Sequence, residues 1–332
     1  MGETNRIVSV TEGLQHRFAY YLFGLRLASH WEFPTHCPVS PGGLPADLEI
    51  VEASDSLFIG ARDEAGIKPT KGTWFQGAPL RDGAIYLIWP ALFEFLVAAD
   101  GRRIFCRQLG SSWESFQSYL LAQVLSFALL KQGIESFHAT VMLMEKGAVG
   151  LIAPCGQGKS TLAAAFLKEG YPLLTDDLLV LKEEDHGFLA FSSFPRIKLF
   201  PRVARGLLGK QITGAPMNPH TRKLVIPLGP SLSHCHPAPL KAIFVLRGRP
   251  ARSRSKGISI KTLSRRRAFL ELMANSFNTV IKEPERIRRQ FDLVARLTAA
   301  IPIKSLSYPR SLARLPEVVQ AVRENLKKIA TL

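Results

Sequence analysis

An α/β domain with a mixed sheet, preceded by a smaller β-rich domain, is the architecture that this 332-residue sequence predicts. Three observations predict it. A strand, a glycine-containing turn and a helix follow one another across 148–168. Strand and helix signals alternate after residue 110, as they do in α/β domains. Before residue 110, short apolar runs are punctuated by Gly, Asp and Pro, which marks a strand-rich unit.

These signals divide the chain into 1–110 and 111–332. Residues 16–30 (HRFAYYLFGLRLASH) open the first unit, and the alternation around Tyr21–Leu27 predicts a strand. Residues 34–47 are rich in Pro and Gly and read as loop. Strands are expected at Leu48–Glu52, Ser56–Ile59, Ala84–Ile88, Phe93–Ala98 and Arg103–Gln108. From Ser115 to Gln132, Phe116, Tyr119, Leu120, Val124, Phe127 and Leu130 keep helical spacing, and Gly133 supplies a stop. The second unit then reads as strand (Ala148–Ala153), helix (Lys159–Lys168) and strands (Pro172–Thr175, Leu178–Lys182), with a hairpin through Asp185–Gly187. A later strand, Ala242–Leu246, and helices near 264–276, 284–299 and 315–329 complete it.

Composition narrows the class. Apolar residues make up 46% and charged residues 21%, the proportions of a folded soluble chain. The four cysteines (Cys37, Cys106, Cys155, Cys235) form no CxxC pair and no Cys/His ligand spacing, which argues against a disulfide framework or a structural zinc site. The start, MGETNRIVSV, lacks a signal-peptide pattern, and the longest apolar stretch, Tyr119–Leu130, is too short to cross a bilayer. The expected compartment is the cytoplasm. Net charge is +16, with basic runs at Arg249–Lys256, Ser264–Arg267 and Arg286–Gln290. Such a surface attracts polyanions, but no nucleic-acid motif and no interleaved aromatics accompany it. It reads as a solvated face or a docking surface for an acidic acceptor.

The chemistry concentrates at Ala153-Pro154-Cys155-Gly156-Gln157-Gly158-Lys159-Ser160, followed by Thr161. A strand before it and a helix after it are the context of a phosphate-binding loop. Gly156 and Gly158 let backbone N–H groups converge on phosphate oxygens at the positive end of the new helix. Lys159 is expected at the β- and γ-phosphates, and Ser160 on Mg²⁺. Ala153 stands where the motif has its first glycine, which alanine allows if φ stays negative. Cys155 reads either as a small buried residue or as a redox-sensitive thiol near a helix N-terminus. Downstream, Leu173-Leu174-Thr175-Asp176-Asp177 ends an apolar strand in two acids, one suited to Mg²⁺ and one to accepting a proton. The same pair also suits a strand-end turn or a helix cap.

His138-Ala139, PCGQGKST, LLTDD and Phe194-Pro195-Arg196-Ile197-Lys198-Leu199-Phe200-Pro201, in this order, resemble the HPr kinase-like family. That family is related in fold to phosphoenolpyruvate carboxykinase and includes bacterial serine kinases. The nearer resemblance is to HPr kinase-related proteins of lasso-peptide and other biosynthetic operons, whose start YLFGLRLAS is also similar. The motif-level match spans about residues 136–201. The resemblance implies a P-loop kinase domain with a mixed sheet at 111–332, using ATP and Mg²⁺. It implies Asp176 as proton acceptor, Asp177 on the metal side with Ser160, His138 near the transferred phosphate, and Arg196 and Lys198 as charge-stabilising groups. True HPr kinases assemble as hexamers, so a homo-oligomer is implied too. PRIKLFP replaces the family's glycine-rich signature, and Cys155 its usual loop serine. Both departures speak against HPr as the substrate and against phosphorolysis.

Three functions compete. A kinase acting on a hydroxyl, such as a Ser, of a peptide, protein or small molecule uses every feature. An ATPase motor predicts an LSGGQ-type segment and a longer apolar strand before its acid, and neither is in the sequence. A nucleotide sensor has no need of two adjacent acids.

Overall fold

Aromatic and branched runs between turn residues build the first layer. The computed structural model describes residues 18–37, 45–68, 72–110, 112–145, 147–249, 257–278 and 281–330. Seven strands form one sheet: β1 (Phe18–Leu22), β2 (Leu25–Ser29), β3 (Leu48–Glu52), β4 (Gln76–Pro79), β5 (Ile85–Trp89), β6 (Phe93–Val97) and β7 (Arg103–Gln108). Their order is β1-β2-β3-β7-β6-β5-β4.

Two expectations change here. The alternation around Tyr21–Leu27 spans a hairpin, because Phe23 (φ 53°) and Gly24 (φ 80°) reverse the chain and pair Leu22 with Leu25. Ser56–Ile59 lies in a helix, α1 (Asp55–Ala65), which Gly66 closes at φ 63°. Phe58 and Ala61, three apart, bury one helical face, and that periodicity overrides the three apolar residues of Ser56–Ile59.

The helix expected from Ser115 begins at Trp113 with Ser112 Oγ accepting from the Ser115 N–H, and it ends at Lys131, before Gly133. It is α2 (Trp113–Tyr119), a π-helical turn (Leu120–Val124) and α3 (Leu125–Lys131). Its apolar face joins the first sheet in one core: the Phe95 and Phe116 rings stack at 5.4 Å, and Phe33 stacks on Trp113 at 5.9 Å.

The chain continues with β8 (Ser136–Met144), β9 (Gly147–Ile152), α4 (Lys159–Lys168), β10 (Leu173–Thr175), β11 (Leu178–Glu184) and β12 (Gly187–Ala190). Next come β13 (Arg196–Leu199), α5 (Pro201–Leu208), β14 (Ala215–Asn218), β15 (Thr221–Pro227) and β16 (Ala238–Arg249). Then β17 (Ser259–Thr262), α6 (Arg265–Ala274), α7 (Pro284–Ala300), β18 (Ile303–Pro309) and α8 (Leu315–Ala330) close it. An eight-stranded mixed sheet results, in which β8, β9, β16, β12 and β11 pair in a closed circuit, with β9–β16 and β16–β18 parallel. β13, β15 and β14 form a separate small sheet beside it. The α/β class with a mixed sheet is therefore the observed one. Among the described residues, no helix is long and apolar enough to cross a membrane.

Two further expectations are corrected. Cys37 and Cys235, 198 residues apart, are joined by a disulfide that sequence spacing could not reveal. Arg286, read as part of a basic surface run, is 2% exposed and pairs with Glu135 at 3.1 Å. Most of the run at Arg249–Lys256 lies outside the described residues.

The Arg286–Glu135 pair matters beyond its own energy. Glu135 immediately precedes β8, and the Arg286 guanidinium also donates to the carbonyls of Phe277 and Ile281. Burial pushes the Glu135 carboxyl above its ordinary value, and Arg286 only partly offsets it. Replacing Arg286 by Leu strands that acid in the interior. Denaturant unfolding is expected to show a loss of about 3–5 kcal/mol. The exposed pair Arg296–Glu183, cut by Arg296→Ala, should cost at most about 1 kcal/mol.

Candidate functional site

The loop between β9 and α4 is shaped by its two glycines. Gly156 and Gly158 take φ 78° and 94°, a region closed to most side chains, and Gly158 is the residue from which α4 starts. A Cβ at Gly156 would meet nothing within 4 Å, so backbone conformation rather than space requires glycine there. Ala153 is fully buried and is not among the residues with positive φ, so alanine fits at this position. α4 buries Leu162–Leu167 between the sheet, α5 and α8, which fixes the loop to the core.

A cleft of about 310 Å³ opens beside this loop. Cys155, Gly156, Gly158, Lys159, Ser160 and Thr161 line one side. His138, Asp177 and Lys198 line it from β8, the β10–β11 turn and β13. Pro154 and Gln157 do not face it; Gln157 instead reaches the Arg310 guanidinium across a second cavity. Cys155 is exposed, which excludes the reading of a buried packing residue.

Lys159 is only 7% exposed, and its Nζ donates to the Ala153 carbonyl at 2.7 Å. Burial pulls its pKa down, while Asp176 and Asp177 pull the other way. The two acids part company at their backbone. Asp177 has φ 72°, a left-handed conformation tolerated by Asp and costly for most residues. Its carboxylate pairs with Lys198 Nζ at 2.5 Å and faces the cleft. Asp176 turns inward, where Oδ1 accepts from the Thr140 hydroxyl at 2.7 Å and Oδ2 from the Lys198 N–H at 3.2 Å.

Their ionisations separate accordingly. Burial, reinforced by the neighbouring Asp177 charge, raises Asp176 above the usual carboxylate range. Burial acts the same way on Asp177, but Lys198, His138 and Arg196 together outweigh it and hold that carboxyl low. Arg196 does not line the main cleft. Its guanidinium lies behind it, donating to the Gln117 carbonyl at 3.1 Å and lying 3.8 Å from Glu114, in a small cavity shared with Asp176, Asp177 and Lys198.

Several residues at this cleft carry no motif. Ser118, Tyr119, Ala122 and Gln123 come from the π-helical turn and the residues just before it. Such turns recur at functional sites. Lys223, Met217 and Phe277 complete the wall, with Lys223 Nζ 5.6 Å above the Phe200 ring. On the loop's other flank lies a cavity of about 250 Å³, lined by Tyr308, Arg310, Ser311, Leu312 and Leu315. The double-glycine spacing could direct attention to the loop, but not to these distant segments.

His138 sits edge-on to Phe277, with ring centroids 5.4 Å apart and Nδ1 buried without a hydrogen-bond partner. Burial, then the Lys159 charge, pushes its pKa below the ordinary 6.5. The unfolded chain therefore takes this proton first, so folding loses stability as pH falls below 6.5 towards the folded pKa. An NMR titration of His138 should give a midpoint under 6.5, and the His138→Phe variant should lose that part of the acid destabilisation.

No family model matches the sequence, and no curated protein matches it. Among solved structures, the chain is similar to the Hpr(Ser) kinase/phosphatase from Coxiella burnetii, at 14% identity and a TM-score of 0.33, with 59% of this chain and 98% of that one covered.

Proposed function

We propose that the chain binds Mg-ATP along Gly156–Thr161 and transfers its γ-phosphoryl group to a hydroxyl of a peptide, protein or small acceptor. The observation that carries this reading is a glycine-shaped loop, a lysine and a carboxylate paired with Lys198, all lining one cleft. Ser160 offers a hydroxyl on the first turn of α4, and phosphate oxygens supply further hard donors, a set that suits Mg²⁺. Bound there, the metal would neutralise charge on the phosphates.

The sequence resemblance gave Asp176 the proton and Asp177 the metal. The geometry supports the opposite emphasis. Both Asp176 oxygens are already occupied and the residue is turned from the cleft, whereas Asp177 faces it. We assign Asp177 the proton of the attacking hydroxyl. Asp176 positions Thr140 and the Lys198 backbone. A low pKa is no obstacle, because positioning and electrostatics supply most of the catalysis and little proton transfer is needed before the phosphoryl group moves. Lys159 and Lys198 stabilise the moving phosphoryl, and Arg196 acts from behind through the field at Asp177. His138 sits beside Asp177, with its pKa lowered by burial and by the Lys159 charge.

Acids on one flank of the loop orient the nucleotide. The γ-phosphate belongs on the Asp177 side and the base on the side of Tyr308, Arg310, Leu312 and Leu315. The acceptor then enters past Tyr119, Gln123 and Lys223, where three lysines (Lys159, Lys198, Lys223) favour an anionic group.

The test is incubation with γ-labelled Mg-ATP and an extract of the source cell. A labelled acceptor is expected with the unmutated chain, and label recovered only as free phosphate would point to an ATPase instead. Asp177→Asn should lower transfer by about 10²–10⁴-fold with nucleotide binding retained. Asp176→Asn should leave measurable turnover, and Lys159→Ala should lose productive nucleotide use. Arg310→Ala should weaken ATP binding and leave inorganic tripolyphosphate binding unchanged, as calorimetry would show.

A further inference from the structure

The Cys37–Cys235 bond joins two segments of similar composition, Thr35-His36-Cys37 and Ser233-His234-Cys235-His236. A ligand atom of His36 and both sulfurs lie within 4.8 Å of one another. His36 Nε2 is 2.9 Å from the Ser233 hydroxyl, which leaves Nδ1 as the ring's remaining ligand atom. Ser233 Oγ also donates to the Gly229 carbonyl at 3.0 Å, so its lone pairs face the imidazole. Backbone bonds brace both arms. The Cys37 N–H donates to Thr35 Oγ1 at 3.0 Å, and the Cys235 carbonyl accepts from Ser192 Oγ at 2.8 Å. Nothing in the kinase chemistry uses this cluster.

We propose that His36, Cys37 and Cys235, once the disulfide is reduced, form a zinc site. Two thiolates and an imidazole, oriented by a hydroxyl on the second ring nitrogen, are a preferred zinc donor set. His234 and His236 flank Cys235, and either one, or water, takes the fourth position. The exchange balances. A dithiol reductant gives two electrons and two protons to the S–S bond and becomes a disulfide itself. The two thiols formed then lose their protons to solvent as Zn²⁺ binds both sulfurs. In the tetrahedral site the sulfurs need to separate to about 3.8 Å, given Zn–S bonds of ~2.3 Å. The two states hold the same segments together by different bonds. Both staple the region after β2 to the strand pairing beside β10, where His234 N donates to the Leu173 carbonyl at 2.7 Å, just ahead of the acidic pair.

The experiment uses the tag-free full chain, reduced by a phosphine under anaerobic conditions, supplied with Zn²⁺ and desalted. Mass spectrometry of the metal is expected to find about one zinc per reduced chain and none on the oxidised chain. Co²⁺ in its place should give a thiolate-to-cobalt charge-transfer band and tetrahedral d–d absorption. His36→Ala should abolish the tetrahedral cobalt spectrum, and Ser233→Ala should weaken zinc binding by about 10–100-fold. A reduced chain that retains no zinc would overturn the proposal. So would a Cys37→Ser, Cys235→Ser double variant, confirmed folded by circular dichroism, that retains as much zinc as the unmutated chain.

Discussion

Lys198 holds two adjacent carboxylates in different environments, and the site depends on that division. Its ammonium pairs with Asp177 while its own N–H donates to Asp176. The positive φ of Asp177 lets consecutive residues part: Asp177 lines the main cleft, while Asp176 bonds to Thr140 and the Lys198 N–H and lines only the small cavity behind it. Two neighbouring acids would otherwise repel and share one proton. Here one is kept ionised beside cations, and the other is pushed towards its neutral form by burial. Pairs whose environments drive their pKa values apart are where acid and base roles separate.

The supports of this division come from every layer. Thr140 and His138 lie on β8, Lys198 on β13, and the helix of the first core supplies Gln117 and Glu114 to Arg196. The Lys198 ammonium also donates to the Ser118 carbonyl at 3.4 Å. The sheet of the first hundred residues therefore bears on the site through α2, which packs on it with one face and presents carbonyls to two site cations with another.

The loop was legible in the sequence because its signal is local: two glycines, a lysine and a hydroxyl at fixed spacing between a strand and a helix. The double acid was legible for the same reason. Which acid faces outward was not, because that depends on one backbone angle and on a lysine two strands away. Ser56–Ile59 misled because four apolar or small residues fit a strand until Phe58 and Ala61 are seen to share a helical face. Tyr119, Gln123, Lys223 and Arg310 reach the loop from segments with no motif, through a π turn and through pairings that only the fold creates. The cysteine pair was invisible for a similar reason, since 198 residues separate its members.

The most direct test of this account is a crystal structure of the chain with Mg²⁺ and a non-hydrolysable ATP analogue. The account predicts the terminal phosphate between Lys159 and Asp177, with the base against Arg310 and Leu312. A terminal phosphate on the Arg310 side, or an analogue bound away from the glycine loop, would contradict it.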